Sequence, residues 1–218
     1  MRFGKLIAVA GLMMASSVPA LAQDWAGNWG GITLGFGSGS YDLGVSALSE
    51  PGPTVDVDGA QLGLRYARNW QRGNYVFGAD VEASTGLDGI NKQSPIIIPE
   101  WICRSGDCNV TIKSLVTIRG RFGLLVNPET LVYAAGGIAT GKVDGGIANS
   151  PQQGSSTASG YTIGFGAERF IREKITIFGE VNYVDLGNLE FGEGDTSSDV
   201  FDGVGDFTTI KLGVSFRF

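Results

Sequence analysis

The chain has 218 residues, among them 35 Gly, 4 Trp, 6 Tyr and 12 Phe, and it contains no His. Its formal net charge of −6 lacks the basic footprint that nucleic-acid binding needs, and no segment approaches the roughly 18 consecutive apolar residues of a membrane-spanning helix. The missing His removes the commonest general base and metal ligand, which disfavours enzymes and His-based metal sites.

Residues 1–22 are predicted to be a secretory signal peptide. A basic start is followed by the apolar run 6–15, which is about half as long as a membrane-spanning helix. Ala20 and Ala22 form the small-x-small pattern of a cleavage site. Residues 23–218 are then expected to fold as one domain.

Eight segments with period-two polarity predict eight β-strands. In the first, Ile32, Leu34 and Phe36 alternate with small residues, which is typical of a strand with one apolar face. In chain order the segments are 31–37, 61–66, 77–82, 116–124, 131–141, 161–168, 175–185 and 208–218. The fifth is the least distinct, because Gly and Ala occupy both of its faces. The eighth sends alternate residues from Thr208 to Phe218 outward.

The connections between these segments alternate in length. Short polar turns are predicted at 71–74, 127–130 and 172–174, and long loops at 42–58, 85–111, 143–158 and 187–206. Outer-membrane barrels show this asymmetry, with tight periplasmic turns and long external loops. The sequence therefore predicts an all-β fold, an eight-stranded antiparallel up-and-down transmembrane β-barrel.

Aromatic residues are expected to form two girdles at the membrane interfaces. Those assigned to the short-turn rim are Trp29, Trp70, Tyr75, Tyr133, Phe216 and Phe218, and those assigned to the long-loop rim are Tyr41, Tyr161 and Tyr183. Strand parity places Arg68 and Arg169 on the lipid face, close enough to a short turn for their side chains to reach the headgroups.

The opposite strand face carries charges that are predicted to point into the lumen. They are Arg65, Lys113, Arg119, Arg121 and Lys211, with Asp80, Glu82, Glu168 and Glu180. Because an unpaired charge is costly in a narrow interior, the near balance of sign predicts an ion-pair network that fills the lumen. A narrow ion pathway lined by mobile pairs is the alternative. Asp80 and Glu82 share one strand face, and we interpret them as ion-pair partners rather than as an acid–base pair.

With these segments in place, the sequence resembles the bacterial outer-membrane β-barrel domain family, the small eight-stranded barrels of the OmpA/OmpX type, and especially their alphaproteobacterial surface-antigen branch. The segments that carry the resemblance are Trp29-Gly-Gly-Ile-Thr-Leu-Gly, Thr117-Ile-Arg-Gly-Arg-Phe-Gly, Leu131-Val-Tyr-Ala-Ala-Gly-Gly-Ile-Ala, Gly179-Glu-Val-Asn-Tyr-Val-Asp-Leu-Gly and residues 211–218. They extend over most of residues 23–218.

The resemblance implies an assembly signal and a set of partners. Lys211, Gly213, Phe216 and Phe218 match the C-terminal pattern by which the family is delivered to the outer-membrane assembly machinery. Periplasmic chaperones, outer-membrane lipids and lipopolysaccharide are the other implied partners, and a monomer is favoured. Individual functions in the family depend on the loops, and they do not transfer.

No catalytic group, metal or cofactor is predicted. Cys103 and Cys108 lie in a polar stretch of an exported chain, where a disulfide is expected. A calcium-loop reading around Gly59 fails, because it places Thr54 first and Arg65 last, where a bidentate Glu is required. Haem ligation by Tyr or Met stays open.

The leading hypothesis is a non-enzymatic outer-membrane protein, a membrane anchor that displays four extracellular loops for envelope structure or surface contact. A narrow, low-conductance pore is the first alternative. An adhesin or ligand-binding surface protein is the second.

Overall fold

The computed structural model describes residues 24–45, 50–86, 108–147, 153–191 and 201–218. They form eight strands, β1 (Gly27–Val45), β2 (Glu50–Arg72), β3 (Tyr75–Thr85), β4 (Cys108–Asn127), β5 (Thr130–Ile147), β6 (Gln153–Arg172), β7 (Ile175–Phe191) and β8 (Phe201–Arg217). Each strand pairs antiparallel with the next, and β1 pairs with β8 to close the barrel. The predicted fold class is confirmed. Among the described residues, no helix is long and apolar enough to span a membrane.

The three short turns lie where the sequence predicts them. Gly73 and Asn74 connect β2 to β3, and Gly73 has a φ of 59°, in the left-handed region that Gly adopts without strain. In the β4–β5 turn, the Glu129 amide donates to Oδ1 of Asn127 at 3.0 Å, a local side-chain bond that fixes the reversal. These turns define the short-turn end of the barrel.

At the opposite end, the hairpin end, the strands continue further than the sequence predicts. Seven strands have 17 to 23 residues, whereas a tilted strand needs about 9–11 to cross a bilayer. The predicted loops 42–58, 143–158 and 187–206 are therefore largely strand, and β4 already begins at Cys108. The apolar outward pattern ends after Phe36 on β1, yet backbone pairing goes on to Val45 opposite Glu50.

The outer surface carries a continuous apolar belt. Leu34, Leu64 and Phe165 are 62%, 67% and 65% exposed, as expected for side chains that face lipid. Beyond Phe36, the outward residues of β1 are polar and end at Asp42. The barrel wall therefore rises above the belt with a water-compatible outer face.

Two apolar clusters occupy the two ends of the interior. The short-turn cluster consists of Trp25, Trp29, Ala67, Val76, Leu131, Tyr133, Ala135 and Phe170. The hairpin-end cluster consists of Tyr41, Leu43, Val55, Val57, Val110, Ile112, Leu115, Ala139, Val143, Ala158, Val184, Leu186, Leu189 and Phe207. The girdle assignments of Trp29, Tyr133 and Tyr41 are wrong, because those assignments considered height along the strand and ignored parity, which points all three inward.

Candidate functional site

The middle of the interior holds a layer of charged side chains. The structure places eight of the nine predicted lumen residues there, each at most 5% exposed: Arg65, Asp80, Glu82, Arg119, Arg121, Glu168, Glu180 and Lys211. We call this set the charged layer. Its four cationic and four anionic side chains balance, as a low-dielectric interior requires.

Arg119 is the most connected member of the charged layer. Its Nε donates to Oδ1 of Asp80 at 2.9 Å, and its Nη1 donates to Oε1 of Glu180 at 2.6 Å and to Oδ1 of Asn182 at 2.7 Å. The hydroxyl of Tyr133 donates to Oε2 of Glu180 at 2.8 Å. These bonds join β3, β4, β5 and β7 through the lumen.

Glu168 is the centre of a second group. Nη2 of Arg121 lies 2.7 Å from its Oε2, and Nη2 of Arg65 lies 3.6 Å from the same oxygen. The Thr176 hydroxyl donates to Oε1 at 2.6 Å. Arg65 also stacks on Phe178, with Cζ 4.4 Å from the ring centroid. This contact stabilises the Arg65 guanidinium, which shares the carboxylate of Glu168 with Arg121.

A third group links two strands that are not neighbours. Nζ of Lys211 on β8 lies 2.5 Å from Oε1 of Glu82 on β3. Among the described residues, Oε2 of Glu82 and Oδ2 of Asp80 have no hydrogen-bond partner. The charged layer is thus paired ion to ion, but its lone pairs are not all satisfied by protein atoms.

Lys113 is the exception, and its predicted lumen position is corrected by the structure. A β-bulge between Ile112 and Ser114 shifts the register, so that Lys113 lies on the outer face. Its side chain is 54% exposed, and Nζ lies 3.4 Å from Oδ2 of Asp144. An extra residue inverts the inside–outside alternation beyond it, which a parity count along the sequence does not detect.

The short-turn cluster and the segment that precedes β1 close the short-turn end of the barrel. The Trp25 amide donates to Oε1 of Gln71 at 2.8 Å, and its indole Nε1 donates to the Pro128 carbonyl at 3.2 Å. The Trp25 and Phe170 rings lie 4.5 Å apart, and Trp29 donates to the Trp25 carbonyl at 3.3 Å. The sequence interpretation missed Trp25, although an isolated Trp just before a strand is a signal for such a contact.

The hairpin-end cluster fills the part of the barrel above the lipid-facing belt. Tyr41 is fully buried in it, and its hydroxyl has no hydrogen-bond partner among the described residues. Burial raises the pKa of the Tyr41 hydroxyl, and the carboxylates of Asp185 and Asp206 raise it further. This end of the barrel is packed like the core of a water-soluble protein.

Three of the predicted assembly-signal residues lie on β8, and Phe218 directly follows it. Lys211 and Gly213 face the interior, whereas Phe216 and Phe218 are 47% and 74% exposed on the outside. The Phe218 amide donates to the Asn28 carbonyl at 3.1 Å, which ties the last residue to β1.

Three predicted features lie outside what the structure describes. They are the cleavage site at Ala20 and Ala22, the signal segment that contains it, and the Cys103–Cys108 pair, since Cys103 and the Cys108 side chain are not described.

Comparison with known proteins gives a consistent picture. The model of the outer membrane protein beta-barrel domain matches residues 8–218. The "22 kDa outer membrane protein" of Rhizobium leguminosarum bv. viciae is 31% identical, covering 88% of this chain and 80% of its own length. The "31 kDa outer-membrane immunogenic protein" of Brucella melitensis is 26% identical, covering 93% of this chain and 88% of its own length.

Solved structures support the fold. The outer membrane protein OprG from Pseudomonas aeruginosa superimposes with a TM-score of 0.61 at 16% identity, covering 91% of this chain and 99% of OprG. At that identity, the similarity shows the fold alone.

Proposed function

This chain belongs to the outer membrane protein beta-barrel domain family, and from that premise we propose that it is a non-enzymatic membrane anchor, closed to ions, that displays four extracellular loops. The protein resides in the outer membrane, as its relatives do. The observation that carries the proposal is the filled interior.

Three layers in series obstruct any path through the barrel. The short-turn cluster, the charged layer and the hairpin-end cluster each consist of side chains that are almost fully buried. An eight-stranded barrel leaves room mainly for its own side chains, whereas open porins use about 16 strands. A permeating ion would have to pass two apolar clusters without hydration, which is expensive.

The hairpin end supports a role in display. Strands that continue past the belt around an apolar core make a rigid support for the segments that connect them, and surface loops on rigid scaffolds commonly carry binding functions. A relative named as immunogenic is consistent with exposure at the surface. Outer-membrane lipids, lipopolysaccharide, periplasmic chaperones and the assembly machinery are the partners that we propose for a monomeric barrel.

Single-channel recording in planar bilayers tests the closed anchor. We expect no resolved openings from the folded protein. Reproducible openings would overturn the proposal, and a change in ion selectivity on Glu82→Gln would then place the ion path in the charged layer.

That narrow pore is the second candidate. One carboxylate oxygen each of Asp80 and Glu82 has no hydrogen-bond partner in the described part of the chain, which favours this candidate because such atoms attract water and cations. The third candidate is an adhesin or ligand-binding surface protein that binds through its extracellular loops. Deletion of residues 88–106 should then abolish binding to cells or ligands while the barrel still folds.

A further inference from the structure

We propose that Arg68, together with Asn28, Tyr66 and Trp70, forms a binding site for the phosphate of an anionic phospholipid in the periplasmic leaflet. The site goes beyond the anchor function, because it selects a particular class of lipid on one side of the barrel.

The position of Arg68 is unusual for a charged residue. It lies on the outward face of β2, between Tyr66 and Trp70, which are 48% and 45% exposed. The short turn at Gly73 and Asn74 follows soon after, so Arg68 lies at the height of the membrane interface on the short-turn side. In this family the short turns face the periplasm. A guanidinium on the lipid-facing surface at this depth meets headgroups and little else.

The Arg68 side chain is held in place without being neutralised. Its Nη1 donates to Oδ1 of Asn28 at 3.4 Å, and the Tyr66 hydroxyl donates to the same oxygen at 3.0 Å. The guanidinium carbon lies 5.6 Å from the centroid of the Trp70 ring. A carboxamide oxygen and an aromatic face orient a guanidinium but leave its positive charge intact.

No carboxylate among the described residues, including the terminal carboxylate of Phe218, forms an ion pair with Arg68. Arg169 differs, since its Nη2 lies 3.5 Å from Oε2 of Glu129. Of the two arginines that parity assigns to the lipid face, Arg68 is therefore the one whose charge is left for an external anion.

The chemistry of the site selects a phosphate with a net negative headgroup. The planar fork of a guanidinium matches two phosphate oxygens, and the remaining N–H groups of Arg68 are not committed to a carboxylate. The four residues include no acidic group that would receive the ammonium of a zwitterionic lipid. An anionic lipid such as phosphatidylglycerol is thus favoured over phosphatidylcholine.

An apolar surface next to Arg68 can contact the acyl chains of the lipid. The ring of Phe218 lies 3.5 Å from the position that a Cβ at Gly30 would occupy, and its centroid is 6.4 Å from that of Tyr66. Because Gly30 has no side chain, Phe218 and Tyr66 approach each other across β1. A lipid held at Arg68 would lay its chains along this apolar surface.

Quenching of Trp70 emission by brominated lipid tests the site in vesicles. The full protein carrying Trp101→Phe is reconstituted in phosphatidylcholine that contains phosphatidylglycerol brominated near the glycerol, or brominated phosphatidylcholine at the same fraction. Trp25 and Trp29 are buried in the interior, so Trp70 supplies the quenched signal. We expect about fivefold enrichment of phosphatidylglycerol at Trp70, the effect of one basic side chain near a membrane surface.

Arg68→Gln should remove this enrichment. Arg72→Gln is the matched control, since Arg72 is an exposed cation at the end of the same strand that makes no aromatic or amide contact with the described residues. Equal quenching by the two lipids in the parent protein would overturn the site, as would enrichment that survives Arg68→Gln. Equal loss in both variants would show general attraction to basic residues and would also overturn it. If Arg68→Gln does not fold, Asn28→Ala, which removes only the orienting oxygen, must lower the enrichment.

Discussion

Arg119 on β4 reaches through the barrel interior to Glu180 on β7, and its Nη1 lies 2.6 Å from the glutamate Oε1. These strands are not neighbours in the barrel wall, so the pair ties together segments that share no ladder of backbone hydrogen bonds. Asp80 on β3 adds a second carboxylate at 2.9 Å. All three side chains are 1% exposed, and salt therefore screens their attraction weakly.

Replacement of Arg119 by Gln leaves two buried carboxylates without their cation. We expect the free energy of unfolding to fall by about 3–5 kcal/mol. Urea unfolding in phospholipid vesicles, followed by Trp fluorescence, measures the change. Lys113→Gln is the control, because its ion pair with Asp144 is largely exposed and pairs of that kind contribute about 0–1 kcal/mol. Similar losses of unfolding free energy in the two variants would contradict a dominant contribution of Arg119 to stability.

Gly213 makes room for the Phe178 ring. A Cβ at Gly213 would overlap ring atoms Cζ and Cε1 of Phe178, the residue on which Arg65 stacks, and would lie 2.8 Å from the backbone oxygen of Ile32. We expect Gly213→Ala to cost about 1–3 kcal/mol of unfolding free energy by overpacking. Phe178→Leu in the same chain should recover part of that loss, because it removes the overlapping ring atoms.

Gly120→Ala is the matched control for this pair, since the nearest atom to its Cβ would be 4.0 Å away. Refolding of purified protein is the appropriate assay, because Gly213 also belongs to the predicted assembly signal. A harmless Gly213→Ala, or a loss that Phe178→Leu fails to reduce, would mean that the ring does not set the requirement for Gly.

The buried hydroxyl of Tyr41 should be dispensable. It has no hydrogen-bond partner among the described residues, so we expect Tyr41→Phe to stabilise the barrel by about 1–3 kcal/mol at neutral pH. Burial raises the pKa of Tyr41 in the folded state. Above the unfolded value of about 10, the hydroxyl ionises in the unfolded chain before it ionises in the folded barrel, so the stability of the parent protein falls as the pH rises. The advantage of Phe should therefore be larger at pH 11 than at pH 8, by urea unfolding at both values. A variant that is less stable at pH 8 would reveal an unseen partner of the hydroxyl.

The strand count and the turns are predictable from sequence because their signals are local. Alternation such as Ile32, Leu34 and Phe36 is decided by which face meets lipid, and turn chemistry such as Gly73 is decided within a few residues. Parity then places most lumen charges, including Arg119 and Glu180, without any knowledge of their partners.

Features that depend on strand pairing are not predictable in this way. The bulge at Lys113 is a register event between two strands, and nothing in β4 alone indicates it. The extension of β1 to Val45 is hidden because its outer face becomes polar above the belt, which makes paired strand look like loop. Parity does assign Tyr133 to the interior, but only the folded barrel reveals that it meets Glu180.

Substitution of Phe218 should distinguish a role in membrane assembly from a role in stability. Its ring is 74% exposed on the outer surface next to Tyr66, so Phe218→Ala loses part of the favourable transfer of the ring from water to lipid and should lower the unfolding free energy in vesicles by only about 1–2 kcal/mol. If the terminal aromatic is recognised during insertion, the same variant should lower the protein in outer-membrane fractions several-fold. Val126→Ala is the control, because Val126 is also exposed, at 60%, near the short-turn end, but outside the signal. Equal loss from membranes in both variants, or a large loss of stability in Phe218→Ala, would assign the effect to folding instead of recognition.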